Sequence, residues 1–103
     1  MTTFDERERR FESQFANDAE ARFRVEARRD KIVGAWAASK LGLDGGKADE
    51  YARSVVRADL EEAGSEDVFR KLRADLPRSI TDEEIRAAMS EALDQAMKDN
   101  RPA

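Results

Sequence analysis

The chain has 103 residues, a net charge of −4, 41% charged residues, and neither cysteine nor histidine. That length suits one small domain with one core, and the acidic balance argues against a nucleic-acid partner, which needs a basic surface. Without cysteine there is no disulfide, thiolate metal site or thiol nucleophile, and without histidine the commonest general base and neutral-pH switch is missing.

No run of about 18 apolar residues is present, so direct membrane insertion is not expected. No apolar stretch follows a basic start, so no secretory signal is expected either. Five glycines and two prolines among so many charged residues favour helices.

The first helical segment starts near Thr3, which opens a capping box with Glu6. Pairs at i,i+4 support it: Asp5/Arg9, Glu6/Arg10, Asp18/Arg22 and Glu20/Arg24, each contributing about 0.2–0.5 kcal/mol. The pattern extends to Leu41. Gly42 then suits the left-handed position after a helix, and apolar Leu43 follows as a Schellman motif prefers.

Three of the five phenylalanines, Phe4, Phe11 and Phe15, lie in the first fifteen residues. Spacings of seven and four put them on one helix side, the side that later carries Val33, Trp36 and Ala37. Asp18, Arg22, Glu26 and Arg29 occupy that side in between. A single core is not interrupted by four charges, so either the helix bends or the two apolar patches serve different partners. The second reading is the expectation. The core-facing part then starts around Phe23 and is strongest from Ile32 through Trp36 to Leu41.

The second segment follows the Asp44-Gly45-Gly46 turn and ends at Gly64. Its stripe is Ala48, Tyr51, Ala52, Val55, Val56, Leu60 and Ala63. The third is short: Ser65 caps it, Glu66 and Asp67 suit its first turn, Val68, Phe69, Leu72 and Leu76 face inward, and Pro77 stops it. The fourth starts at Thr81 with Glu84 completing a capping box and Ile80 stapled to Ile85. Ile85, Ala88, Met89, Ala92, Leu93, Ala96 and Met97 form its stripe.

The expected fold is all-α: a small antiparallel four-helix bundle over residues 20–103, preceded by a mobile or extended N-terminal helical segment, residues 1–19, partly disordered when free. Chemistry is sparse. The carboxylates Glu61-Glu62, Glu66-Asp67 and Asp82-Glu83-Glu84 lack metal-site spacing and read as helix-start acids and solvated faces. Gly45-Gly46-Lys47 lacks a full phosphate-loop pattern and a preceding strand. It reads as a turn, with weak nucleotide binding as the secondary reading. Ser39, Ser54 and Ser90 have no histidine base, so no catalytic residue, metal or cofactor is assigned.

The phenylalanine row instead suits a helix-in-groove contact. Three buried phenylalanines contribute roughly 5–9 kcal/mol before costs. Ordering fully disordered backbone costs about 1–2 kcal/mol per residue. The row therefore needs partial helix beforehand, or polar contacts through Arg7, Arg9 and Arg10.

Three stretches carry a family resemblance: Phe4-Asp5-Glu6-Arg7-Glu8 with Phe11-Glu12 and Phe15-Ala16; Ala27-Arg28-Arg29-Asp30-Lys31 leading to Gly34-Ala35-Trp36-Ala37-Ala38; and Val56-Arg57-Ala58-Asp59-Leu60-Glu61-Glu62-Ala63-Gly64 continuing to Asp67-Val68-Phe69-Arg70-Lys71. They resemble the zeta subunit family, the ATPase inhibitors of alphaproteobacterial F-type ATP synthases. The resemblance implies a non-enzymatic regulatory protein, cytoplasmic and peripheral to the inner membrane through the synthase. Its partners would be the alpha, beta and gamma subunits of the catalytic sector. Its N-terminal segment would enter a catalytic alpha/beta interface near the gamma shaft and block hydrolytic rotation. Mapped here, that segment is about Thr2–Ala19, with Phe4, Phe11 and Phe15 as apolar anchors and Arg7, Arg9 and Arg10 as polar contacts. The alternative is a helical adaptor or weak nucleotide-sensing module of the same complex with little inhibitory activity. Asp30 departs from the family pattern, standing where an asparagine is expected. A histidine-based pH gate is excluded.

Overall fold

The computed structural model describes residues 3–61 and 65–100, with side chains described from 6 to 60 and from 65 to 100. Among them are five helices and no strand: α1 (Thr3–Gln14), α2 (Ala19–Lys40), α3 (Gly45–Glu61), α4 (Ser65–Asp75) and α5 (Asp82–Asp99). The expected all-helical class is present, but the first expected segment is two helices.

The break has a local cause. Asp18 is the N-cap of α2, its Oδ1 accepting from the Ala21 amide at 3.0 Å. Glu20 adds an acid in the first turn. On a continuing helix Asp18 would be one more charge on the phenylalanine side; its side chain instead starts a second helix. Of the four expected i,i+4 pairs, Glu20/Arg24 forms at 2.9 Å. Arg10 reaches across to Asp94 at 3.6 Å rather than along its own helix. The side chains of Thr3, Phe4 and Asp5 lie outside the described residues.

The other ends follow short-range chemistry. Gly42 has φ +76°, the Leu43 amide donates to Ala38 O at 2.9 Å and the Gly42 amide to Ser39 O at 3.1 Å. This is the Schellman closure expected after Leu41. Thr81 and Glu84 form the reciprocal capping box of α5, and Ile80 and Ile85 join one cluster. Ser65 differs from expectation. It is the first residue of α4, and its hydroxyl donates to Glu8 Oε1 at 3.3 Å. The expected end of the second segment at Gly64 lies outside the described residues.

The long α2 packs on both α3 and α5, α4 bridges α3 and α5, and α1 lies on α5. Gly34 permits the α2–α3 approach: a Cβ there would sit 2.8 Å from Ala52 Cα. Val33, Ala37, Val55, Val68, Leu72, Leu76, Ile85, Met89 and Ala92 form the main hydrophobic cluster, with Trp36, Tyr51 and Phe69 at its edge. Two expected core positions face out instead: Phe23 is 56% and Leu60 61% exposed. In their place Ala21 and Val25 turn inward at the start of α2.

Candidate functional site

The N-terminal helix and the surface beneath it form the first feature. After Gln14 the chain makes a tight turn, with the Phe15 amide on Phe11 O at 3.0 Å and the Asp18 amide on Phe15 O at 3.2 Å. This turn lets α1 and α2 leave in different directions. Phe11 and Phe15, with ring centroids 5.5 Å apart, are buried with Ala21, Val25, Leu93, Ala96 and Met97 in a second hydrophobic cluster. Arg22 holds its guanidinium 5.8 Å from the Phe11 ring centre, a cation–π contact.

Polar contacts line the edge of α1. Arg7 Nη1 donates to Ser90 Oγ at 3.1 Å. Glu8 accepts from Ser65, and Arg10 faces Asp94, which also meets Lys98 at 3.1 Å. The hydrogen bond from Lys98, with Arg7 and Arg10 nearby, holds the Asp94 carboxyl below its ordinary range. Such surface pairs contribute about 0–1 kcal/mol each.

The residues singled out from sequence thus divide. Phe11, Phe15, Arg7 and Arg10 meet α5 or α2 of their own chain. Arg9 points to solvent, and the Phe4 side chain lies outside the described residues. The expectation that the phenylalanine row is separate from the rest of the chain is corrected for Phe11 and Phe15. Two of the four "interrupting" charges, Arg22 and Arg29, border the seam rather than a solvent gap. Gly45, Gly46 and Lys47 are exposed at the start of α3.

The second feature is a buried charge cluster that sequence reading missed. Arg29 and Asp30 on α2 are 5% and 0% exposed. Arg29 Nη2 lies 3.0 Å from Asp30 Oδ1 and 3.4 Å from Asp59 Oδ2 on α3. Asp30 Oδ2 and Asp59 Oδ1 are buried with no hydrogen-bond donor. Two carboxyls on one guanidinium, out of water, cannot both remain charged cheaply. Burial, opposed by Arg29 and reinforced by hydrogen bonding to Asp59, pushes the Asp30 carboxyl up to about 8. Glu26 close by is also raised, chiefly by burial, against the pull of Arg29. Helical phase could have found this cluster: Asp30 shares a face with Val33 and Ala37, and Asp59 lies four residues after Val55.

These carboxyls floor a cleft of about 350 Å³ between the first half of α2 and the end of α3. Phe23, Val56 and Leu60 add apolar lining. No helix among the described residues is long and apolar enough to cross a membrane.

Compared with known families, residues 1–99 match the family model described as ATPase inhibitor subunit zeta. No curated protein matches the chain.

Proposed function

We propose, from the premise that this chain belongs to the ATPase inhibitor subunit zeta family, that α1 is the inhibitory element and acts by leaving α5 for a groove on the F-type ATP synthase. The family is regulatory rather than catalytic, so binding is the activity to explain. In this reading α1 enters a catalytic alpha/beta interface near the gamma shaft and stops ATP hydrolysis. Phe11 and Phe15 exchange an intramolecular cluster for an intermolecular one. Arg7 and Arg10 exchange Ser90 and Asp94 for polar groups of the partner. Arg9, which faces solvent here, adds a contact made only in the complex, and Phe4 adds an apolar one.

The observation that carries this reading is how lightly α1 is attached. Its described side chains touch the rest of the chain through α5, the start of α2 and one hydrogen bond from Ser65 of α4 to Glu8. Among the described residues its apolar hold is Phe11 together with Phe15 of the turn that follows, worth about 3–6 kcal/mol before costs. Ordering twelve fully disordered residues would cost more than that gain, so α1 holds only to the extent that it is helical beforehand. An arm held this weakly changes partner without unfolding what lies beneath it.

The test uses the absence of native cysteine. Glu8→Cys with Ser65→Cys places two thiols where Ser65 Oγ and Glu8 Oε1 stand 3.3 Å apart. A short bis-maleimide then ties α1 to the body. The untied double variant should inhibit ATP hydrolysis by purified synthase, and the tied form should lose at least nine-tenths of that inhibition. Full inhibition by the tied form would sink the release mechanism.

A further inference from the structure

We propose that the cleft between α2 and α3 is a second docking site, for a partner-protein segment that presents one lysine or arginine between apolar side chains. The choice of partner, the catalytic sector of the synthase, rests on the function proposed above; the chemistry of the occupant rests on the cleft alone.

Charge gives the first reason. Around the cleft stand three acids, Glu26, Asp30 and Asp59, and two bases, Arg22 and Arg29. Arg29 is already committed to Asp30 Oδ1 and Asp59 Oδ2, so it does not reach the two oxygens left without a donor. Those oxygens belong to a side chain 1% exposed and another 9% exposed, and a buried acceptor without a donor costs about 1–3 kcal/mol. One more positive group completes the set.

The rims give the second. Phe23 and Leu60 are the exposed large hydrophobic residues of the described chain, and they line the same cleft from different helices. Single exposed apolar residues need no explanation. Two across a cleft from each other, above a buried acidic floor, match a long basic side chain: its methylenes lie against the ring and the leucine while its head meets the partly exposed Glu26 above Asp30 and Asp59. A bare metal or ammonium ion would leave both rims in water, which is why the occupant is a protein segment.

The site carries its own signature. A cation that enters must displace the proton that Asp30 holds up to about pH 8. Binding therefore releases a proton and tightens as pH rises. On its other side Arg29 lines clefts with Glu8 and Glu12 of α1 and Arg86 of α5.

The test measures the affinity of the full chain for purified catalytic sector at pH 6.5 and pH 8.5. Wild type should bind several-fold more tightly at the higher pH. Phe23→Ser with Leu60→Ser should weaken binding at least tenfold; both side chains are exposed, so circular dichroism should show an intact fold. Asp30→Asn should weaken binding several-fold and flatten its pH dependence. Affinity of the Phe23/Leu60 variant within twofold of wild type would overturn the proposal, as would a wild-type chain with no measurable binding. The two readings fail separately: affinity of these variants reports the cleft, whereas inhibition by the tethered form reports the arm.

Discussion

The two hydrophobic clusters of this molecule are built on the same α2 and α5 but differ in what closes them. The main cluster draws on α2, α3, α4 and α5, and Val33, Ala37, Val55, Val68, Leu72 and Ile85 are fully buried. The second is closed by α1 and the turn after it, through Phe11 and Phe15, which remain 7% and 8% exposed. Removing any helix from the first would open the core. Removing α1 from the second uncovers one face of α2 and α5 and leaves the core intact. A domain that must keep its shape while releasing an arm needs this inequality, because only an element outside the main core can leave without cooperative unfolding.

The sharpest way to break the comparison is to cut equally into both clusters. Leu72→Ala should cost about 2–5 kcal/mol in denaturant unfolding. Phe11→Ala with Phe15→Ala removes more apolar atoms yet should cost less than half as much. Its main effect should be loss of amide exchange protection across α1. Equal losses of global stability would show that the two clusters unfold as one.

A smaller effect concerns the charge cluster beside both. The Asp30 carboxyl is raised in the folded chain from 3.8 to about 8. The folded state therefore binds a proton that the unfolded state has lost. The associated stability is complete below about pH 4 and is lost as pH rises through about 8, with a slope of at most about 1.4 kcal/mol per pH unit. Thermal melts from pH 5 to pH 8.5 should show wild type weakening and Asp30→Asn nearly flat. Asp94 and Asp99, whose carboxyls are lowered by their partners, act in the opposite sense but stay ionised throughout that window. A wild-type profile as flat as that of the variant would refute the raised Asp30 carboxyl.

The smallest effect sits at the edge of α1. Arg10→Ala breaks the 3.6 Å contact with Asp94 and should change global stability by less than about 1 kcal/mol. A larger loss would mean that polar contacts, not the two phenylalanines, fasten the arm.

The exclusion of a histidine gate from sequence stands, since the chain has no histidine. The Asp30 carboxyl, pushed up to about 8 chiefly by burial, reaches the range of histidine without intrinsic basicity.

By itself, the sequence determined the helical class, the Schellman end at Gly42, the capping box at Thr81, the stop at Pro77 and most of the α5 stripe. Each of these depends on groups within about four residues of one another, so the local chain contains all the information needed. Tertiary structure decided what Phe11 and Phe15 touch, why Phe23 and Leu60 face out, and why Arg29, Asp30 and Asp59 are buried together. Those outcomes depend on which distant helix arrives at each face. The break at Asp18 lies between the two cases. Its cap was legible, but a continuous amphipathic reading was equally available until α5 supplied a surface for α1 to turn back onto.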